Sequence, residues 1–266
     1  MKTALTASLF VALAWIADWS SPPVQAQTAA PPRSVPAASP QPLQPDDSSS
    51  VAALEALPVR LVKNHLGVVQ SVEMSGPKVD DDALAHLKGL PNLEWIRIAD
   101  CQVGDEGLAN LVGLPRLRRV YLHRIAVTDD GLVHLGKLTD LEVLALEDTQ
   151  VKGPGLAHIK GQSRLRVLNL GGCKLTDAAL AHVEPLAGLE TLALQNASVT
   201  SAGLVHFSGL PELRVLNLNG CNVTAESLKH LRTLANLRIL RLKECPVTAE
   251  EAEQFKSKMP GLAIFR

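Results

Sequence analysis

The segment LEVLALEDTQV, residues 141–151, decides the fold. Large apolar residues occupy its positions 1, 4, 6 and 11, and a small residue occupies position 9. The pattern recurs at a spacing of 24 residues, and its copies open at Val69, Leu93, Leu117, Leu141, Leu165, Leu189, Leu213 and Leu237. A fixed period of this length is typical of a solenoid in which each repeat forms one strand–turn–helix unit. The spacing therefore predicts eight repeats over residues 69–261.

Alternation within the repeat assigns its side chains to opposite faces. Positions 4 and 6 of the strand should point into the core, and positions 3, 5 and 7 should point out of it. A leucine at position 16 and a bulky apolar residue at position 19, such as Leu204 and Phe207, predict a helix packed on the sheet. Thr or Asp at positions 12 and 13 is predicted to cap these helices, as in Asp80-Asp81, Thr128-Asp129 and Thr176-Asp177. The predicted fold class is α/β: a right-handed, horseshoe-shaped solenoid with a parallel inner sheet and convex helices.

The first 50 residues differ from the repeats. Lys2, the apolar run 4–17 and the small residues at 24 and 26 are typical of a secretory signal peptide over residues 1–26, cleaved before Gln27. That run is too short to span a bilayer as a helix, and an uncleaved anchor is the alternative. Residues 27–50 are rich in Pro, Ala, Ser and Gln, and we expect a disordered linker because they cannot bury enough apolar surface.

Both ends of a solenoid need a cover over the exposed core. Residues 51–68 are predicted to form the N-terminal cap, with a helix from Val51 to Leu57 whose N-cap is Ser50. A hairpin of strands 59–63 and 68–74 should follow. At the other end, repeat 8 has a polar helix opened by Thr248 and Glu251, a predicted capping box. Residues 262–266 should add a last capping strand.

The segment Thr-Asp-x-Gly-Leu-x-His-Leu, residues 128–135, resembles the leucine-rich repeats of bacterial proteins, especially those of planctomycetes. It is also similar to the cysteine-containing repeats of eukaryotic F-box proteins, although no F-box-like segment precedes the repeats. The resemblance covers residues 69–266 and implies the solenoid fold. It implies little about function, since the fold serves many unrelated partners.

Several residue types recur at one position of the repeat. Position 9 holds Cys101, Cys173, Cys221 and Cys245, which we expect to be buried free thiols. Only Cys221 and Cys245, in adjacent repeats ~4.8 Å apart, are close enough for a disulfide. Position 18 holds His86, His134, His158, His182, His206 and His230, for which packing is the preferred interpretation and a metal-binding column the alternative. Position 2 alternates between Glu and Arg from Glu94 to Arg214, which predicts ion pairs between neighbouring strands.

The inner face of the sheet carries the candidate site. Its outward positions in repeats 2 and 3 bring together aromatic and basic residues, with Arg124 beside them: Trp95, Arg97, Arg119, Tyr121 and His123. Trp, Tyr and Arg are the residue types that most often dominate binding energy at protein interfaces. Each arginine should lie beside an aromatic ring of the neighbouring strand. Positions 3 and 5 of repeats 4 to 7 are small and uncharged.

These observations favour an exported, non-enzymatic module that binds a protein through its inner sheet. The alternative is a protein that binds an envelope glycan or an anionic small ligand, stacking on the two rings and clamping with the arginines. The net charge of −1 gives no field that favours nucleic acid. The sequence has no cofactor, metal or catalytic motif, so we expect no cofactor, no metal and no enzyme. We expect a secreted or periplasmic monomer, without stable membrane insertion after signal cleavage.

Overall fold

The structure, a computed structural model, describes residues 42–266. The predicted signal peptide and residues 27–41 of the predicted linker lie outside the described residues. Ten strands form one sheet in chain order: β1 (Val59–Lys63), β2 (Val69–Ser75), β3 (Trp95–Ala99), β4 (Arg119–His123), β5 (Val143–Glu147), β6 (Val167–Asn169), β7 (Thr191–Ala193), β8 (Val215–Asn217), β9 (Ile239–Arg241) and β10 (Ala263–Phe265). β1 is antiparallel to β2, and every later pair is parallel. The predicted eight repeats and parallel inner sheet are confirmed.

The repeat length sets the register between neighbouring strands. Arg119 pairs with Val143, and Val143 pairs with Val167, each 24 residues further along the chain. Because the period is constant, a given position of one repeat always lies beside the same position of the next. Positions therefore form continuous rows across the sheet, and a row can be read directly from the sequence.

Short helices form the other side of each repeat, and one more lies in the N-terminal cap. In residues 42–266, four helices are α-helical: α1 (Ser48–Glu55) in the cap, and α2 (Asp81–Ala85), α3 (Leu132–Leu135) and α4 (Ala249–Lys256) in the repeats. The others are 3₁₀ helices at His86–Gly89, Gly107–Leu111, Pro154–His158, Asp177–His182, Ser201–Gly209 and Ala225–Thr233. The helices occur where the pattern predicts them, but most are of the tighter type. Side chains three residues apart eclipse in a 3₁₀ helix, which suits apolar residues at positions 16 and 19.

The core is a stack of leucine side chains between the strands and these helices. Leu144 and Leu168, at position 4 of successive repeats, are fully buried. Leu204 and Phe207, on the helical side of repeat 6, are also fully buried. The predicted inward face of the strand is therefore confirmed. Each leucine is covered by the repeats before and after it, so one repeat cannot bury its core alone.

The N-terminal cap begins earlier in the chain than predicted. Asp47, not Ser50, is the N-cap of α1, and its carboxylate accepts hydrogen bonds from the backbone amides of Ser49 and Ser50. Hydrogen bonds from the hydroxyls of Ser49 and Ser50 are the main reason that the pKa of Asp47 falls to about 2. Asp46 accepts a bond from the Val69 amide at 2.7 Å, which ties the segment to the first repeat. Residues 42–50, assigned to the disordered linker from sequence, thus include ordered contacts.

The rest of the cap agrees with the prediction. β1 and β2 form the expected hairpin, with an irregularity between Val62 and Lys63.

At the C-terminal end of the repeats, Thr248 and Glu251 form the predicted capping box of α4. β10 pairs with β9 in parallel, so the last predicted strand is also confirmed. The guanidinium of Arg241 lies over the Phe265 ring, 5.9 Å from its centroid.

The aspartates at position 13 do not cap the helices of their own repeats. Asp129 accepts hydrogen bonds from the amides of Lys152, Gly153 and Gly155 in the following repeat. Asp177 likewise accepts bonds from the amide and hydroxyl of Thr200. The prediction of local caps is correct for Asp80, whose carboxylate accepts from the Ala83 amide. It is wrong for the position-13 aspartates, because the amides that they satisfy belong to the next repeat.

The alternating charges of position 2 form some of the expected ion pairs between neighbouring strands, a row that we call the ion-pair ladder. Arg118 lies 3.6 Å from Glu142, and Glu190 lies between Arg166 at 3.9 Å and Arg214 at 3.6 Å. Burial is the main influence on Glu190 and raises the pKa of its carboxyl, while the two arginines oppose that rise. Partly exposed pairs of this kind each contribute roughly 0–1 kcal/mol, so the ladder favours the register more than it stabilises the fold.

Candidate functional site

Four residues on β3 and β4, Trp95, Arg97, Arg119 and Tyr121, form what we call the aromatic–arginine cluster. The parallel register places Trp95 opposite Arg119, and Arg97 opposite Tyr121, as the sequence predicts. The closest ring contact is diagonal: the Trp95 and Tyr121 centroids are 6.1 Å apart, with their planes at 88°. An edge-to-face pair of this type stabilises by about 0.5–1.5 kcal/mol beyond its buried area. The two rings therefore hold each other in place.

Arg119, the first residue of β4, is the second arginine of this cluster. Its two cross-strand neighbours are Trp95 on β3 and Val143 on β5. The side chain is half-buried. Within residues 42–266, the guanidinium of Arg119 has neither an ion pair nor a hydrogen bond with a side chain or a backbone carbonyl. A cation with apolar neighbours and no counter-ion can pair strongly with an incoming anion, because its surroundings screen charge less than water does.

The Tyr121 hydroxyl is kept in its neutral form. Burial is the main influence on it and raises the pKa of the phenol, and the nearby Arg119 charge only partly offsets that rise. At neutral pH the group is therefore a phenol that can both donate and accept a hydrogen bond. Together, Tyr121 and Arg119 can offer an O–H donor and N–H donors to a ligand on the inner face.

His123 and Arg124 lie at the far end of β4, each beside a carboxylate. The Nδ1 atom of His123 is 3.6 Å from Oε2 of Glu147. Arg124 makes a two-point contact with Asp100, with Nε to Oδ1 at 2.6 Å and Nη2 to Oδ2 at 2.9 Å. That bond is the main reason that the pKa of Asp100 is lowered and the pKa of Arg124 is raised. The charge of Arg124 is thus already compensated inside the protein.

Arg124 also shows a backbone feature of the whole fold. Position 8 has a left-handed conformation in every repeat, with φ of 48° at Arg124 and 62° at Glu244. Glycine occupies this position in three repeats, at Gly76, Gly172 and Gly220, since it adopts this conformation without steric cost. An arginine here is unusual, and its two-point bond to Asp100 helps to hold the turn after β4.

A row of polar side chains along the inner face was missed by the sequence analysis. Gln195 donates through Nε2 to Glu147 at 2.9 Å, although the two residues lie two repeats apart. Gly171 lies between them, and a Cβ on it would be 2.2 Å from that Nε2. Asn217 donates to Gln195 at 3.3 Å, which extends the row. The sequence signal was present: a glycine between polar residues at position 7 of neighbouring repeats.

Asn169 does not face solvent as the alternation of the strand predicts. It is 3% exposed, and its Oδ1 accepts a hydrogen bond from the Gly171 amide at 2.9 Å. A second, longer bond of 3.4 Å comes from Gln195. The side chain therefore folds back onto the turn that follows its own strand. The prediction that Asn169 is solvent-facing is wrong because a short amide finds its partner in the backbone two residues away.

Comparison with known proteins adds to this geometry. Three segments, residues 89–112, 163–181 and 210–232, match the family model described as Leucine Rich repeat. Each segment begins in the last few residues of one 24-residue repeat and continues into the next. The chain has a leucine-rich repeat fold. The similarity to planctomycete and F-box repeats stays a prediction.

Solved structures agree on this fold. Internalin C2 from Listeria monocytogenes has a TM-score of 0.60 and 18% identity, covering 82% of this chain and 92% of that chain. A leucine-rich repeat protein of Leptospira interrogans has a TM-score of 0.53 and 19% identity, covering 68% of this chain and 51% of that chain. The chain thus spans about half the length of the Leptospira protein. No curated protein shows significant sequence similarity to the chain. At these identities the likeness shows the fold alone.

The cysteines of the leucine-rich repeats are hydrogen-bonded thiols. Each of Cys173, Cys221 and Cys245 donates at 3.0 Å to the position-6 carbonyl of the preceding repeat. All four cysteines are free in the structure. Burial raises the pKa of the Cys221 thiol to about 12, and the neighbouring Cys245 contributes to the rise. A thiol that stays protonated is a poor nucleophile and a poor metal ligand, which favours a structural role.

The column of histidines lies along the helical side of the leucine-rich repeats. Most of these rings are half-buried, and His158 is exposed. The Nδ1 atom of His206 lies 3.6 Å from Oε2 of Glu184. Over the described part of the chain, no group of three or more His, Cys, Asp or Glu side chains is arranged to hold a metal ion.

Proposed function

We propose that the chain is an exported, non-enzymatic recognition module that binds a protein partner through the aromatic–arginine cluster. The observation that supports this most directly is the edge-to-face contact of Trp95 and Tyr121 beside the unpaired guanidinium of Arg119. Leucine-rich repeat proteins commonly act in protein binding, and most are scaffolds without catalytic activity. The proposal assigns that general role to one end of the inner sheet.

Physical arguments support this choice of surface. Trp95 and Tyr121 already contact each other, so little side-chain freedom would be lost when a partner covers them. The same positions in the next repeat are Val143 and Ala145, which are small and nearly buried. Anchors of the kind that dominate interfaces therefore occur at β3 and β4 and not at β5.

Export is the second element of the proposal, and it depends on the signal peptide read from residues 1–26. Between residues 42 and 266, no helix is long and apolar enough to cross a bilayer. If the signal peptide is cleaved as predicted, the mature chain begins at Gln27. Expression of the full sequence in a bacterial host, followed by intact-mass measurement of periplasmic material, would show that N-terminus. Recovery of a full-length chain in the membrane fraction would contradict this part.

The test of partner binding is an affinity capture with matched variants. Chain 27–266 is immobilised and incubated with envelope extract, in parallel with Trp95→Ala, Tyr121→Ala and Val205→Ala. Val205 is 45% exposed on the helical side and serves as the control. A protein retained by wild type and Val205→Ala, but lost with the two cluster variants, supports the proposal. Retention through the helical side would contradict it.

Affinities then rank the positions. Trp95 is the one tryptophan in residues 27–266, so its fluorescence reports directly on the cluster. Truncation of Tyr121 to Ala should weaken binding by about 30-fold or more if it is a hot spot, which corresponds to ~2 kcal/mol. Val143→Ala and Asn217→Ala should cost much less. Tight binding of a glycan by the unpartnered chain would instead favour the ligand-binding alternative.

A further inference from the structure

The arginines around the cluster differ in whether a carboxylate pairs with them. Arg118, the preceding residue, lies 3.6 Å from Glu142. Arg124, at the end of the same strand, is held by Asp100 at 2.6 and 2.9 Å. Arg119, between them in the chain, has no carboxylate partner among the described residues. An arginine that is left unpaired between two paired ones is available for a ligand.

The apolar neighbours of Arg119 increase its affinity for an anion. Trp95 and Val143 flank it across the sheet, and Tyr121 follows two positions along the same face. Covering these groups with a partner would remove water from the guanidinium. Guanidinium–carboxylate pairs that lose water at an interface can couple strongly, whereas exposed pairs contribute little. Tyr121, whose phenol stays protonated, adds a hydrogen-bond donor for the same anion.

The carboxylates around Arg119 have partners of their own. Glu142, which precedes β5, pairs with Arg118, and Glu94, which precedes β3, accepts a bond from the Gln70 side chain at 3.4 Å. At the other end of β4, Asp100 is held by Arg124, and Glu147 lies beside His123. An anionic group that approaches this part of the inner face is therefore attracted to the guanidinium of Arg119, which has no such partner among the described residues.

We infer that the protein partner presents an acidic side chain, Asp or Glu, whose carboxylate pairs with Arg119 while its flanking apolar residues cover Trp95 and Tyr121. The inference depends on the proposed function, because it specifies the chemistry of the partner at that same surface. It commits to a protein carboxylate and not to a phosphate or a sugar acid. The planar guanidinium fork suits a two-oxygen acceptor, and the adjacent rings suit apolar neighbours in a peptide.

The experiment is a selection from phage-displayed random octapeptides on immobilised chain 27–266. Wild type should enrich peptides with Asp or Glu at one fixed place beside an apolar residue. Arg119→Met should lose the acidic preference and bind the wild-type consensus peptide about 30-fold or more weakly. Arg119→Glu should instead select Lys or Arg at that place. Arg118→Met, which removes the neighbouring arginine that already has a partner, is the matched control and should keep the acidic preference.

Each outcome has a separate meaning, provided that circular dichroism shows folded variants. If no peptide binds the folded wild type, both the inference and the proposed function fail. Peptides that depend on Trp95 but show no acidic preference, or an acidic preference that survives Arg119→Met, overturn the inference and leave the proposed function standing. Inorganic phosphate is the competing probe, followed by Trp95 fluorescence. Phosphate binding tighter than the consensus peptide would overturn the commitment to a carboxylate.

Discussion

Gln162 allows a direct test of the repeat geometry. Position 22 holds leucine in six of the eight repeats, but repeat 4 has Gln162 there, and it is only 2% exposed. Its Nε2 donates to the Leu135 carbonyl at 3.1 Å and, over a longer 3.4 Å, to the Gly136 carbonyl, whereas its Oε1 is buried and accepts no hydrogen bond from the described residues. The substitution Gln162→Leu restores the repeat pattern and removes that buried acceptor.

The expected effect is a gain in stability. Removing a buried acceptor without a donor should recover about 1–3 kcal/mol, while the lost Nε2 bond costs about 0.5–1.5 kcal/mol. The Leu135 carbonyl does not lose its only donor, because it also accepts from the Leu138 amide at 3.1 Å. The net change is therefore about +1 kcal/mol, and a domain of this size should gain about 2–4 °C in Tm.

Thermal and urea denaturation of chain 27–266, followed by circular dichroism, would measure this change. Leu186→Gln provides the matched reverse substitution, since Leu186 occupies position 22 of the next repeat and is 2% exposed. It should destabilise by about 2 kcal/mol or more, because a buried amide replaces apolar contacts. If Gln162→Leu leaves the Tm unchanged or lowers it, the Oε1 atom has a partner, and the assumed cost of burying it is wrong.

Three further predictions concern the core, the thiols and the cap. Both positions are buried, but Leu168→Asp should lower the Tm far more than Asn169→Asp, because the carboxylate at 169 keeps the hydrogen bond from the Gly171 amide, while the one at 168 replaces apolar contacts; equal losses would show that the retained bond does not offset the buried charge. Alkylation of unfolded protein without reductant should label four thiols, and a disulfide found by mass spectrometry between any pair other than Cys221 and Cys245 would contradict the register. The pKa of Asp47 is lowered to about 2, so its contribution to stability is present above pH ~4 and is lost as the pH falls towards 2. The side chain of Asp47→Asn cannot ionise, so the urea concentration at the midpoint of unfolding should change less with pH over that range.

The core of this fold could be predicted from the sequence because its rules are local. The apolar residue at position 4 is fully buried in every repeat, from Val72 in the first to Leu240 in the last. The strand register follows from the period alone, which predicts Trp95 beside Arg119, as the structure has them. Such features depend on alternation and length, and neighbouring repeats impose the same environment on each copy.

Features that link one repeat to another were harder to predict. Within its own repeat, Asp129 is predicted to cap a helix, yet its three amide partners lie 23 to 26 residues further along the chain. Gln195 reaches Glu147 across 48 residues, which depends on the absence of a side chain at Gly171. These contacts depend on side-chain length and rotamer in three repeats at once. A pattern within one repeat does not contain that information.

Departures from the consensus therefore have two physical meanings. Gly153 replaces aspartate at position 13, and a Cβ there would lie 2.1 Å from Cβ of Ala179, so this departure fits its neighbouring repeat. Arg124 takes an uncommon backbone conformation and is matched by Asp100 in the repeat before it. Arg119 is different, because no carboxylate in the described repeats forms an ion pair with it. A departure matched by a neighbour serves the solenoid, and an unmatched one on an accessible face is the more informative guide to a partner outside the chain.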